Sequence, residues 1–187
     1  MKIRLIIVLL FLKGLPINLC AFNLSEDFKI QYLIGNSTYY HKIHKNINYR
    51  TNSDYQSLRL IYKKIGISKS LYQLETIHDD TYKARASIEV YDILFFIPFD
   101  DFSLSISKNI FASGRGRNNY GEMEFQKSVE LLDIISSYIF SYNFSFFSIS
   151  IGYIENDFIF SRNCEYEPCG DEWFLNKDFI LLYGLNF

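Results

Sequence analysis

Few residues in this 187-residue chain have the types and spacing that chemistry requires. His41 and His44 lie among Tyr39, Tyr40, Lys42 and Lys45. A structural zinc takes four ligands, and no Cys, Asp or Glu adjoins this pair, so both read as solvated side chains. His78 precedes Asp79 and Asp80, and with a serine it would make the nucleophile–base–acid set of acyl transfer. Serine is abundant and no Gly-x-Ser-x-Gly element occurs, so no catalytic residue, metal ligand or cofactor site is assigned. Glu122 and Glu124 single out no carboxylate pair for glycoside hydrolysis. Residues 113–123 hold two Gly-Arg pairs without the lysine or spacing of a phosphate loop. They read as a mobile surface loop whose Arg115 and Arg117 would meet phosphate groups or a partner.

Composition narrows the field further. The formal charge is −2, with no Lys/Arg block, which excludes a nucleic-acid-binding reading. Apolar residues make up 49 %, too many for a disordered chain. Aromatic residues make up 18 %, a composition that favours strands and half-buried surfaces.

The chain opens with basic Lys2 and Arg4, an apolar run from Leu5 to Leu12, and Leu19-Cys20-Ala21, the pattern of a signal peptide cut after Ala21. Lipoprotein processing at Cys20 is the rival, disfavoured by the large Leu19. Removing residues 1–21 takes Lys2, Arg4 and Lys13 from the 19 basic residues, so 16 face 21 acidic ones, for a net charge of −5 over residues 22–187. No run reaches the about 18 apolar residues of a membrane helix. An exported chain meets an oxidising compartment, so Cys164 and Cys169, five positions apart around Pro168, are expected to form a disulfide.

The elements that carry these residues have period 2. Tyr82, Ala84, Ala86, Ile88 and Val90 alternate with Lys83, Arg85, Ser87 and Glu89, and similar alternation fills residues 102–109 and 147–153. Eight strands are expected, near 27–35, 55–65, 70–78, 82–97, 102–112, 124–141, 144–160 and 174–187. Residues 66–69, 98–101 and 142–143 read as tight turns, and 36–54, 113–123 and 161–173 as long polar loops, with 79–81 a short connection on the loop side. Residues 128–142 also fit an apolar helix, but Ser136, Ser137, Tyr138 and Ser141 favour a strand. The expected fold is all-β, an up-and-down antiparallel barrel of about eight strands.

Alternation leaves open which face meets which solvent. A soluble lipocalin-like barrel turns its apolar face inward around an apolar ligand, whereas a membrane barrel turns it to lipid around a polar interior. Several strands exceed the about 9–11 residues that cross a bilayer. Aromatic residues gather near strand ends, among them Tyr62, Phe99, Phe102, Tyr142 and Phe144. On this reading Arg59, Glu75, Lys83, Arg85 and Glu89 form an ion-paired barrel interior.

The last residues alternate as Phe179, Leu181, Tyr183, Leu185 and Phe187. This run, ending in Tyr183-Gly184-Leu185-Asn186-Phe187, resembles the terminal strand of bacterial outer-membrane proteins. The mature chain resembles the small eight-stranded barrels of the OmpA/OmpX and opacity-protein type. The resemblance implies a place in the bacterial outer membrane and a structural or surface-interaction role, such as adhesion or host contact. It also implies lipopolysaccharide and the barrel-assembly machinery as partners, the latter reading Phe179, Leu181, Tyr183, Leu185 and Phe187 as an insertion signal. The alternatives are a barrel enzyme acting on lipid A or phospholipid and the soluble lipocalin-like barrel.

Overall fold

The computed structural model describes residues 27–44, 47–78, 82–126, 135–162 and 172–187. The proposed signal peptide, Cys164 and Cys169, Asp79 and Asp80 and most of the expected loop 161–173 lie outside the described residues. Among the described residues there are nine strands: β1 (Phe28–His44), β2 (Ile47–Tyr62), β3 (Ile65–His78), β4 (Tyr82–Phe99), β5 (Phe102–Asn118), β6 (Gly121–Gln126), β7 (Ile135–Phe144), β8 (Phe147–Arg162) and β9 (Glu172–Asn186). Each is antiparallel to its sequence neighbour where they pair, and β1 closes the circuit on β9. β6 and β7 occupy one position in the wall, because both pair with β5 on one side and β8 on the other. The result is a closed, up-and-down, eight-stranded β-barrel. The part of the helical alternative that falls on 135–142 is strand.

At one end, here the lower, three two-residue turns join the strands: Lys63-Lys64, Asp100-Asp101 and Ser145-Phe146. The first residue of each is left-handed, with φ of 55°, 52° and 48°. They sit up to three residues from the expected positions. Gly66, read as a turn glycine, is instead an inward strand position. A Cβ there would stand 2.4 Å from the Leu60 carbonyl oxygen and 2.9 Å from Leu94 Cδ1, so the residue serves close approach of two strands. Closure is completed low in the wall by Phe187 N–H donating to Ile30 O at 2.8 Å and Ile30 N–H to Phe187 O at 3.0 Å.

At the upper end, two expected loops are strand. Residues 36–54 continue the β1–β2 ladder as far as the His44↔Ile47 pair. Most of residues 113–123 continue β5 and open β6 around a turn at 119–120, where Asn118 Oδ1 accepts from the N–H groups of Tyr120 (2.8 Å) and Gly121 (3.1 Å). Polar composition signalled loop in both, but a ladder standing in water needs no apolar outer face.

Candidate functional site

Inward and outward residues alternate along the strands, apart from a bulge on β5 where Ile110 and Phe111 both face outward, yet the residue types exchange sides partway up. In the lower half the outward positions are aliphatic and aromatic. On β4 they are Tyr91, Ile93, Phe95, Ile97 and Phe99; on β8 Phe147, Ile149, Ile151 and Tyr153; on β9 Phe179, Leu181, Tyr183 and Leu185. Their exposure is high for such side chains, 58 % at Ile151 and 70 % at Phe179. Neighbouring rings touch around the wall, with Phe102 stacked on Phe140 at 5.5 Å and Tyr153 against Phe179 at 5.3 Å. Two lysines interrupt this belt. Lys108 is one; the other, Lys69, binds Glu89 at 3.0 Å and lies over the Tyr91 ring.

The lower interior is mainly polar. Ser57, Ser70, Ser107, Ser141 and Ser150 are all buried and make short cross-strand contacts: Ser70 Oγ donates to Ser57 Oγ at 3.0 Å, and Ser150 Oγ to Ser141 Oγ at 2.8 Å. Near the bottom Gln31 Nε2 donates to Asn186 Oδ1 (3.0 Å), whose Nδ2 donates to Asn143 Oδ1 (3.2 Å). A small apolar cluster of Ile61, Leu94 and Phe96 stands among them.

The upper half is the converse. Its interior is an apolar core that includes Tyr55, Tyr72, Ile88, Met123, Phe158 and Phe160. Tyr72 on β3 meets Phe158 on β8 across the barrel at 5.6 Å, so the core fills the lumen above the serines. The outward face is polar. Two rows of directly paired residues cross six strands: Asn36, Asp54, Gln73, Ser87, Arg115, Glu124, and above them Thr38, Asn52, Glu75, Arg85, Arg117, Glu122. They line an open cavity of about 1450 Å³. Glu75 Oε1 accepts from Arg85 Nε at 2.8 Å and Nη2 at 2.7 Å. Arg115 and Arg117 each oppose a glutamate on β6. Arg85 and Arg117 oppose each other, a like-charge pair that costs stability.

Several sequence expectations change here. Arg59 points inward and is 1 % exposed. Glu75, Lys83, Arg85 and Glu89 were expected beside it in the interior, but they face outward, Arg85 with 73 % of its side chain exposed. On residues 82–90 it is Ala84, Ala86, Ile88 and Val90 that turn in. The reason is height, because this stretch belongs to the upper half. Arg115 and Arg117 are strand residues, not loop residues. Of the terminal five, Phe179, Leu181, Tyr183 and Leu185 lie on the belt, and Phe187 closes the ladder.

The side chains of His41, His44 and His78 lie outside the described residues. Among the described residues, no three of His, Cys, Asp and Glu are grouped to hold a metal. Sequence reasoning placed Ser105 and Asn109 on the polar face of residues 102–109 but passed over the buried Gln31, Asp92 and Asn186. Counting the alternation up from the tight turns would have put these residues on the inward face. No protein-family model matches the chain, and no curated protein matches it.

Proposed function

We propose that this chain is an integral outer-membrane barrel whose lower half crosses the bilayer and whose upper half stands clear of it as a surface for contacts. The observation that carries this reading is the outward apolar belt around a serine-lined interior, the polarity a lipid solvent selects. On β4 the belt runs nine residues, Tyr91 to Phe99, within the about 9–11 that a tilted strand needs to cross. Eight steps of about 3.3 Å give roughly 26 Å along the strand, or about 20 Å at a barrel's usual tilt. Outer membranes are thinner than average and their barrels carry an apolar band about 25 Å tall. In the lower half the β1–β9 seam is paired, Gln31 to Asn36 against Leu181 to Asn186, which removes an edge that hydrocarbon would penalise.

The role follows from the same division. The upper core closes the lumen, which supports a structural or surface-interaction protein over a pore. The polar cavity above the belt, with Arg115 and Arg117, is where an envelope saccharide, lipid phosphate or protein would dock. The terminal strand presents Phe179, Leu181 and Tyr183 outward, the form in which an assembly machinery would read it.

Nitroxide labels at Ile151 and at Ser87 test the placement in vesicles. The expected result is collision with dissolved oxygen at Ile151 and with a water-soluble nickel chelate at Ser87. Equal access of the chelate to both, or release of the protein from membranes by carbonate, overturns it.

A further inference from the structure

We propose that the lower barrel holds a small inorganic anion, of about chloride size, on the guanidinium of Arg59. The proposal concerns the interior alone and stands whichever solvent meets the belt. Arg59 is almost fully buried, and its Nε and Nη1 have no hydrogen-bond partner among the described residues. A buried charge is costly unless it is paired and hydrogen-bonded.

The neighbouring groups favour an acceptor. Four other buried groups are in the same situation: Asn109 Nδ2, Ser105 Oγ, Ser148 Oγ and Gln31 Oε1. Arg59 Nε, Nη1 and Asn109 Nδ2 can only donate, the two hydroxyls can donate, and Gln31 Oε1 is the one obligate acceptor. A water molecule brings donors of its own and leaves two inward cations, Arg59 and Lys29 over the Phe96 ring, against the single buried carboxylate of Asp92 among the described residues of the lower barrel. A halide-sized anion only accepts, and it balances that excess.

Height places Arg59, Ser105 and Gln31 together, with Asn109 four residues higher and Ser148 two residues lower. Arg59 stands three residues above Tyr62, Ser105 three above Phe102, and Gln31 three above Phe28, each counted from the lower end of its strand. Gln31 is also the direct cross-strand partner of Arg59. The interior of an eight-stranded barrel is just wide enough for side chains, so inward groups at one height face each other across the axis. Above them the apolar core closes the lumen. Asp92, two strands along the same row, accepts from Ser68 Oγ at 3.2 Å.

Anomalous diffraction from crystals of the wild-type protein soaked in bromide tests this directly. The expected result is one buried bromide within about 3.5 Å of Arg59 Nε or Nη1. Bromide confined to the surface, with density at Arg59 accounted for by water alone, overturns the proposal. In solution, replacing gluconate with chloride at constant ionic strength should raise the thermal midpoint by roughly 3 °C, and Arg59→Gln should abolish the rise. An equal rise in the variant counts against the site. If Arg59→Gln does not fold, the bromide map of the wild-type protein decides.

Discussion

On β4, Phe95 and Ile93 face outward near the lower turns, while Ser87 and Arg85 face outward six to ten residues higher on the same strand. Inward, Asp92 lies low with the apolar Leu94 and Phe96 beneath it, while Ala84 and Ile88 lie high. One continuous ladder therefore serves two opposite polarities, and the exchange falls at Val90 and Tyr91. The β3 strand makes the same exchange, from outward Ile65 and Ile67 to inward Tyr72 and Leu74. The comparison teaches that the wall is a single element but its two halves are held together differently. The upper half is stabilised like a water-soluble core, by apolar burial. The lower half has a hydrogen-bonded interior and leaves its apolar surface for something outside the chain.

The largest expected effect tests the upper core. Phe158 is fully buried against Tyr72 and Phe125, so Phe158→Ala should lose about 3–5 kcal/mol by chemical unfolding. A loss below about 1 kcal/mol would show that the upper half is not a packed core, and the contrast between halves would fail. Next is the outer face. Ile151→Arg should cost about 2–4 kcal/mol for protein folded into vesicles, because it sets a charge in the belt. The same residue placed high, in Gln73→Arg, should stay within about 0.5 kcal/mol. Equal costs at the two heights would remove the argument that the two outer faces meet different solvents.

Most of the fold was legible because period 2 survives both polarities: the strands were visible as alternation whichever way they faced. What alternation alone did not carry is phase. Ala84 to Val90 and Phe102 to Ile106 look alike as apolar residues in alternate positions, yet the first set turns in and the second out. Only the distance from a two-residue turn separates them, and the turns were misplaced by up to three residues. Gly66 drew one such error, since a glycine needed for strand contact reads like a glycine needed for a turn. The same phase error put Arg85 and Glu89 inside. The upper strand extensions were missed for a different reason. Residues 36–54 are polar on both faces in sequence, and the β1–β2 ladder that orders them leaves no apolar signature.

The interior polar layer sets the third test. Ser150→Ala removes the donor to Ser141 and leaves a buried hydroxyl behind, so a loss of about 1 kcal/mol is expected. That is well under the cost of Phe158→Ala at a position just as buried. A serine cost comparable with the phenylalanine cost would mean that the lower interior is as tightly interdependent as the upper core.

The smallest effects locate the boundary itself. The β3–β4 hairpin carries two outward ion pairs at different heights, Lys69–Glu89 at 3.0 Å and, higher, Arg85–Glu75 at 2.7 Å. In water an exposed pair of this kind is worth about 0.2–1 kcal/mol and is screened by salt. Arg85 is the more exposed cation and projects from the polar half, so Glu75→Gln should cost under about 0.5 kcal/mol, with the loss vanishing at high salt. Lys69 sits among belt residues, its ammonium over the Tyr91 ring. If that ring marks the lipid–water interface, as aromatic side chains do in such barrels, the lower pair is partly shielded from mobile ions. Glu89→Gln should then cost about 1 kcal/mol in vesicles and depend little on salt. Equal salt sensitivity of the two variants would move the interface below Lys69, shorten the lipid-facing belt on β3 to Ile65 and Ile67, and require the hairpin to leave the bilayer within its first turn of pleat.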